Sequence, residues 1–220
     1  MSVGTSLVAF ENWTIRLRPP VGAAQSVLWM LHGWQGDENS MWIFARNFPA
    51  NCWIVAPRAP YVAREGGYTW RAPDSGHWPS VDNLRPAAQA LAGLMSDWMA
   101  ANELAGLPAD LAGFSQGAAM VCEMGLLYPA KVRRMAILAG FAPDGTEQII
   151  EPGQFTGKTI FVAHGTKDEM VPVARARHTV DLLQGAGAQV HYCESEIGHK
   201  LSTEGLKELE NYLRADEKTN

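Results

Sequence analysis

Apolar runs of strand length recur along this chain, and helical stretches separate most of them. "SVLWMLHG" (26–33) ends at Gly33, and "NCWIVAPRAP" (51–60) is stopped by Pro57 and Pro60. "ADLAGF" (109–114), "VRRMAILAGF" (132–141), "KTIFVAHG" (158–165) and "QVHYCES" (189–195) follow. Between them, residues 81–104 repeat Leu84, Ala88, Leu91, Leu94, Met95, Trp98 and Met99 at three- and four-residue steps, a helical period. Ser80 or Asp82 suits its N-cap. "QGAAMVCEMGLLYP", "VARARHTVDLLQGAG" and "TEGLKELENYLRADE" read as three more helices, and "SLVAFENWTIRLRP" as an opening strand or hairpin. Strand–helix alternation of this kind predicts an α/β protein, a mostly parallel sheet with helices on both faces. No repeat or linker divides the chain, so residues 1–220 are expected to form one domain.

In a parallel sheet, ligands gather beyond the carboxyl ends of the strands. The polar residues met there are His32 and Trp34, Ser115, Asp144, His164 and Asp168, with His199 after the last strand. Ser115 lies between Gly113 and Gly117 at a strand-to-helix junction, where small neighbours let the two backbones approach. The plainer reading is a turn of small residues; the context favours a nucleophile. A serine hydroxyl then needs a base. His178 sits in an amphipathic helix, His191 in a strand and His77 in a polar loop, while His32 and His164 precede glycines and suit loop bracing. His199, in "EIGHKLS", is the last histidine, which fits the order nucleophile, acid, base. The acid is Asp168 in "HGTKDEMVP", with Asp144 in "AGFAPDG" as the alternative. Backbone N–H groups of Gln116 and Trp34 are the expected oxyanion donors.

Composition removes several competing classes. The net charge of −5 argues against a nucleic-acid or anionic-membrane surface. No run approaches the roughly 18 apolar residues that span a bilayer, and the first residues do not read as a secretory signal. Cys52, Cys122 and Cys193 are isolated, an odd number with no C-x-x-C, which suits reduced thiols and a cytoplasmic location.

"LHGWQGDE", "GFSQGAAM", "HGTKDEMVP" and "GHK", in that order, resemble the phospholipase/carboxylesterase family of α/β-hydrolases, which includes acyl-protein thioesterases. The resemblance covers essentially the whole chain. It implies an α/β-hydrolase fold with Ser115, Asp168 and His199 as the triad and Trp34 and Gln116 at the oxyanion hole. It implies no metal and no organic cofactor. The reading is a serine esterase for small carboxylic esters, with thioesters or lysophospholipids in range and a pocket of Trp and Met side chains suited to apolar acyl groups. The alternatives are a peptidase or amidase using the same triad, or a small-molecule binding protein with negligible turnover. A homodimer stays open. One stretch departs from the family: in "YVAREGGYTWRAPDSGHWPSVDN" (61–83), Trp70 matches but Arg71 stands where an aromatic residue is common. Arg71 or Arg64 there suits a substrate with a carboxylate, against the plainer reading of surface arginines.

Overall fold

In the computed structural model, residues 4–72 and 78–214 are described. An antiparallel hairpin, β1 (Ser6–Phe10) and β2 (Trp13–Arg18), opens the chain. The sheet continues through β3 (Ser26–Leu31) and β4 (Cys52–Pro57). A small antiparallel pair, β5 (Tyr61–Val62) and β6 (Tyr68–Thr69), stands apart from it. Then come α1 (Val81–Ala101), β7 (Ala109–Phe114), α2 (Gln116–Leu127), β8 (Arg134–Leu138) and the short α3 (Thr146–Ile149). The chain finishes with β9 (Thr159–Gly165), α4 (Val173–Gly185), β10 (Gln189–Ser195) and α5 (Thr203–Leu213). The main sheet runs β1-β2-β4-β3-β7-β8-β9-β10, parallel from β4 to β10.

The period-2 pleat sorts each strand between two cores. On β3, Val27, Trp29 and Leu31 pack on one face and Leu28 and Met30 on the other. β8 and β9 divide the same way, with Ile137 and Val162 opposite Leu138 and Phe161. Helices α1, α2 and α4 cover the first face. The second is covered by α5, through Leu209 and Leu213, and by two short 3₁₀ turns carrying Met41, Phe44 and Ala45. Those turns were not expected from the sequence, although Met41, Phe44, Ala45 and Phe48 do carry a helical spacing. Ser80, not Asp82, caps α1: its hydroxyl accepts from Asn83 N–H, and its own N–H donates to the Asn83 side chain at 3.0 Å.

Chain order fixes the crevice. From β3 the chain crosses to β4 on one side of the sheet; from β7, which lies on β3's other flank, it crosses to β8 on the far side. The loops leaving β3 and β7 therefore diverge from neighbouring strands, at a topological switch point. Leu31 is paired with Gly113, so the loop carrying Trp34 and the turn carrying Ser115 emerge together.

One buried group works against stability. Glu123, on α2, is fully buried, and neither carboxyl oxygen has a hydrogen-bond partner among the described residues. Burial raises its pKa to about 7; nearby Arg85 opposes the rise and Asp82 adds to it. The folded protein thus holds this proton more tightly than the unfolded chain. Stability falls as pH rises from about 4.5 through 7, and the loss is complete above that range. A rise from 4.5 to about 7 corresponds to roughly 3 kcal/mol. Glu123→Gln is expected to raise the melting temperature at pH 8, with a gain clearly smaller at pH 5. Calorimetry at the two pH values tests this, and an equal gain at both would contradict it.

Candidate active site

Ser115 directly follows β7 and opens α2, with φ 55° and ψ −117°. A non-glycine residue in such a conformation costs on the order of 1–3 kcal/mol and persists only where its surroundings impose it. Here they do. Ser115 N–H donates to Leu138 O at 2.9 Å, and Ser115 O accepts from Ala118 N–H at 3.0 Å. A Cβ on Gly113 would strike Gly117 O, and one on Gly117 would strike Leu31 O. The two glycines are needed for close approach, as the sequence implied.

The base and acid candidates meet across the ends of β9 and β10. Thr166 N–H donates to Ser195 O at 2.8 Å and Lys167 N–H to Ile197 O at 3.0 Å, which binds the two loops together. Gly165 lets them close, because a Cβ there would strike Ile197 O and Gly198 O. Asp168 Oδ1 accepts from the N–H groups of Met170 and Val171 at 2.9 and 2.8 Å. Its Oδ2 is thereby aimed at His199 Nδ1, 2.7 Å away. His164 braces the same loop, donating from Nε2 to Val171 O at 2.8 Å. With Nδ1 bonded to the carboxylate, His199 keeps Nε2 for the cavity that it lines together with Ser115. Phe114 packs on the imidazole, ring centres 4.9 Å apart.

Asp144 is held elsewhere. Its N–H donates to Pro79 O and its carbonyl accepts from Val81 N–H, each at 2.9 Å, and its carboxylate pairs with Arg175 at 2.6 Å. His178 and His191 bond Glu147 and Glu208 near the surface. His77 lies outside the described residues.

The loop after β3 is braced by His32, as its place in the sequence suggested, and by Trp70 and Gln116, which the sequence did not single out for this. His32 Nε2 accepts from Ala59 N–H at 3.0 Å, so Nδ1 carries the proton and donates to Gly33 O at 2.7 Å. Burial holds the His32 pKa below the usual range, which keeps this neutral form. Trp70 Nε1 donates to His32 O at 2.8 Å. The buried Gln116 side chain accepts from Thr69 Oγ1 and from Trp70 N–H at 3.1 and 3.0 Å. Farther out, Glu38 holds Arg58 at 2.7 Å, and the guanidinium lies 4.5 Å from the Tyr68 ring centre. Among the described residues, the backbone N–H groups of Trp34 and Gln116 have no protein acceptor.

Two cavities meet at Ser115. The smaller, about 190 Å³, is lined by Arg71, Trp78, Gln116, Phe141 and Val171. The larger, about 520 Å³, is lined by His199 and by apolar side chains including Ile43, Phe44, Phe114 and Leu201. Trp34 and Met170 line both and are largely exposed. Arg64 is exposed and lines neither.

Comparison with known proteins bears on the family and the fold. The model of the phospholipase/carboxylesterase family matches residues 15–216. The carboxylesterase SOBER1 of Arabidopsis thaliana is 30% identical over 106 residues, 47% of this chain and 46% of the relative, so the chain spans about half the length of that protein. An acyl-protein thioesterase 1 of Debaryomyces hansenii is 26% identical over 90% of this chain and 94% of its own. Among solved structures, esterase PE8 superposes with a TM-score of 0.77 at 27% identity, covering 90% of this chain and 96% of the other. The Bacillus cereus carboxylesterase superposes with a TM-score of 0.84 at 16% identity, over 93% and 95% of the two chains, which shows the shared fold.

Proposed function

Because the chain belongs to the phospholipase/carboxylesterase family of α/β-hydrolases, we propose that it is a serine esterase. Its substrates are small carboxylic esters, with thioesters and lysophospholipids in the same chemical range. The observation that carries this reading is the 2.7 Å bond from Asp168 to His199, with His199 and Ser115 lining one cavity.

The reaction follows from those positions. His199 Nε2 takes the Ser115 proton as Oγ attacks the acyl carbon, and the carbonyl becomes an oxyanion. The N–H groups of Gln116 and Trp34 donate to that oxyanion; one such donor is worth roughly 10²- to 10³-fold in kcat. Asp168 holds the imidazole in the required tautomer and stabilises the imidazolium. The carbon–oxygen bond to the leaving group then breaks, and His199 Nε2 returns the proton to the departing oxygen. Water, deprotonated by the same nitrogen, clears the acyl-enzyme.

The test is steady-state hydrolysis of p-nitrophenyl butyrate together with labelling by a fluorophosphonate. Turnover with label on Ser115 supports the proposal; a protein that binds the ester without steady turnover is a binding protein instead. No step above uses a metal, so dialysis against EDTA is expected to leave the rate unchanged. Activity lost on dialysis and restored by zinc would replace this reading with a metal-dependent one.

A further inference from the structure

We propose that the smaller cavity is the acyl site, that Arg71 within it selects acyl groups ending in a carboxylate, and that the larger apolar cavity takes the leaving alcohol. This rests on the serine-esterase reading and adds its substrate class: half-esters of short dicarboxylic acids with an apolar alcohol.

The partition follows from proton transfer. His199 must hand its proton to the departing oxygen, so the leaving group lies on the His199 side of Ser115. His199 lines the larger cavity and not the smaller. The acyl chain therefore extends the other way, past Gln116. At about 30 Å³ per small group, the smaller cavity holds roughly six non-hydrogen atoms beyond the reacting carbonyl. That fits a glutaryl chain and leaves no room for the fatty acyl chain of a lysophospholipid, which narrows the range given above to short acyl groups.

Charge narrows the class further. Among the described residues lining the smaller cavity, Arg71 is charged and no side chain is acidic. Arg175, stacked 4.4 Å from the ring centres of the wall residues Trp78 and Phe141, is already paired with Asp144 at 2.6 Å, so the charge offered to a ligand is that of Arg71. A guanidinium presents five N–H donors in a fork that suits a carboxylate in bidentate geometry. Arg71 is half-buried, and the loss of hydration there lowers its pKa, a cost that a bound anion would offset. Trp34, Trp78, Phe141 and Met170 give the smaller cavity the apolar walls expected for the acyl chain, with Arg71 as its charged group, while Ile43, Phe44 and Leu201 line the leaving-group side.

The experiment compares monohexyl glutarate with hexyl 5-methylhexanoate, which has a neutral end of the same shape. Alkyl esters are used because a neighbouring carboxylate attacks aryl esters unaided. Hexanol release gives kcat/KM for each ester with the wild type, Arg71→Gln and Ser115→Ala. The wild type is expected to favour the glutarate by at least about tenfold, in keeping with charge-assisted hydrogen bonds worth roughly 1.5–3 kcal/mol. Arg71→Gln should reduce that ratio at least about tenfold. Ser115-dependent hydrolysis with no preference for the glutarate, or with a preference that survives Arg71→Gln, overturns the acyl-site assignment while leaving the esterase reading intact. Hydrolysis of neither ester by the wild type, or hydrolysis undiminished in Ser115→Ala, overturns both.

Discussion

Ser115→Ala is expected to lower ester kcat by about 10⁴-fold or more, the scale of triad removal in serine proteases. It should not disturb the fold, because alanine keeps the Cβ and the unusual backbone conformation is as costly for it as for serine. Ser115→Gly should be equally inactive. It should also be more stable than Ser115→Ala by about 1 kcal/mol, since glycine adopts positive φ without that cost. Turnover rates and melting temperatures of the three proteins check both halves. Residual activity within tenfold of wild type in Ser115→Ala would remove the serine from the chemistry. A glycine variant no more stable than the alanine one would remove the strain from the turn.

The second large effect belongs to the acid. Asp168→Asn is expected to cost at least roughly 10²-fold in kcat, and up to about 10⁴-fold if no water or other acceptor substitutes, because an amide can hold the wrong imidazole tautomer and cannot stabilise the imidazolium. Asp144→Asn should stay within about tenfold. It loses an ion pair with Arg175 whose carboxylate is 53% exposed, and exposed pairs contribute at most about 1 kcal/mol. The backbone bonds that tie residue 144 to Pro79 and Val81 survive the change. The measurement is kcat for both variants at one temperature, with folding followed by circular dichroism. A crippled Asp144→Asn beside a near-normal Asp168→Asn would put the acid on the wrong strand.

The alternation of strands and helices was legible because unbroken apolar runs of strand length, such as β3, stand beside the helical period of α1 in the bare sequence. Ser115 and its flanking glycines were legible for a related reason, since a crowded turn admits few residue types. The choice between Asp168 and Asp144 was only partly legible. Both follow strands, and what separates them is the pairing of β9 with β10, a contact between segments about thirty residues apart. The bracing of the oxyanion loop was legible at His32, which precedes a glycine beyond a strand, but not in its partners. Nothing local in Gln116 says that its amide oxygen will accept from Thr69 and Trp70, 47 and 46 residues away. The 3₁₀ turns were missed although their apolar spacing was visible, because each is shorter than the windows in which a helical period stands out.

Within the 61–83 stretch that departs from the family pattern, Trp70 and Ser80 are each anchored to the surrounding fold. Trp70 is tied to Gln116 and His32, and Ser80 caps α1. Arg71 and Trp78, which line the smaller cavity, lie between those two anchors. A substitution at Arg71 or Trp78 is therefore expected to change which esters are turned over while leaving the bonds of His32, Gln116 and Ser80 in place.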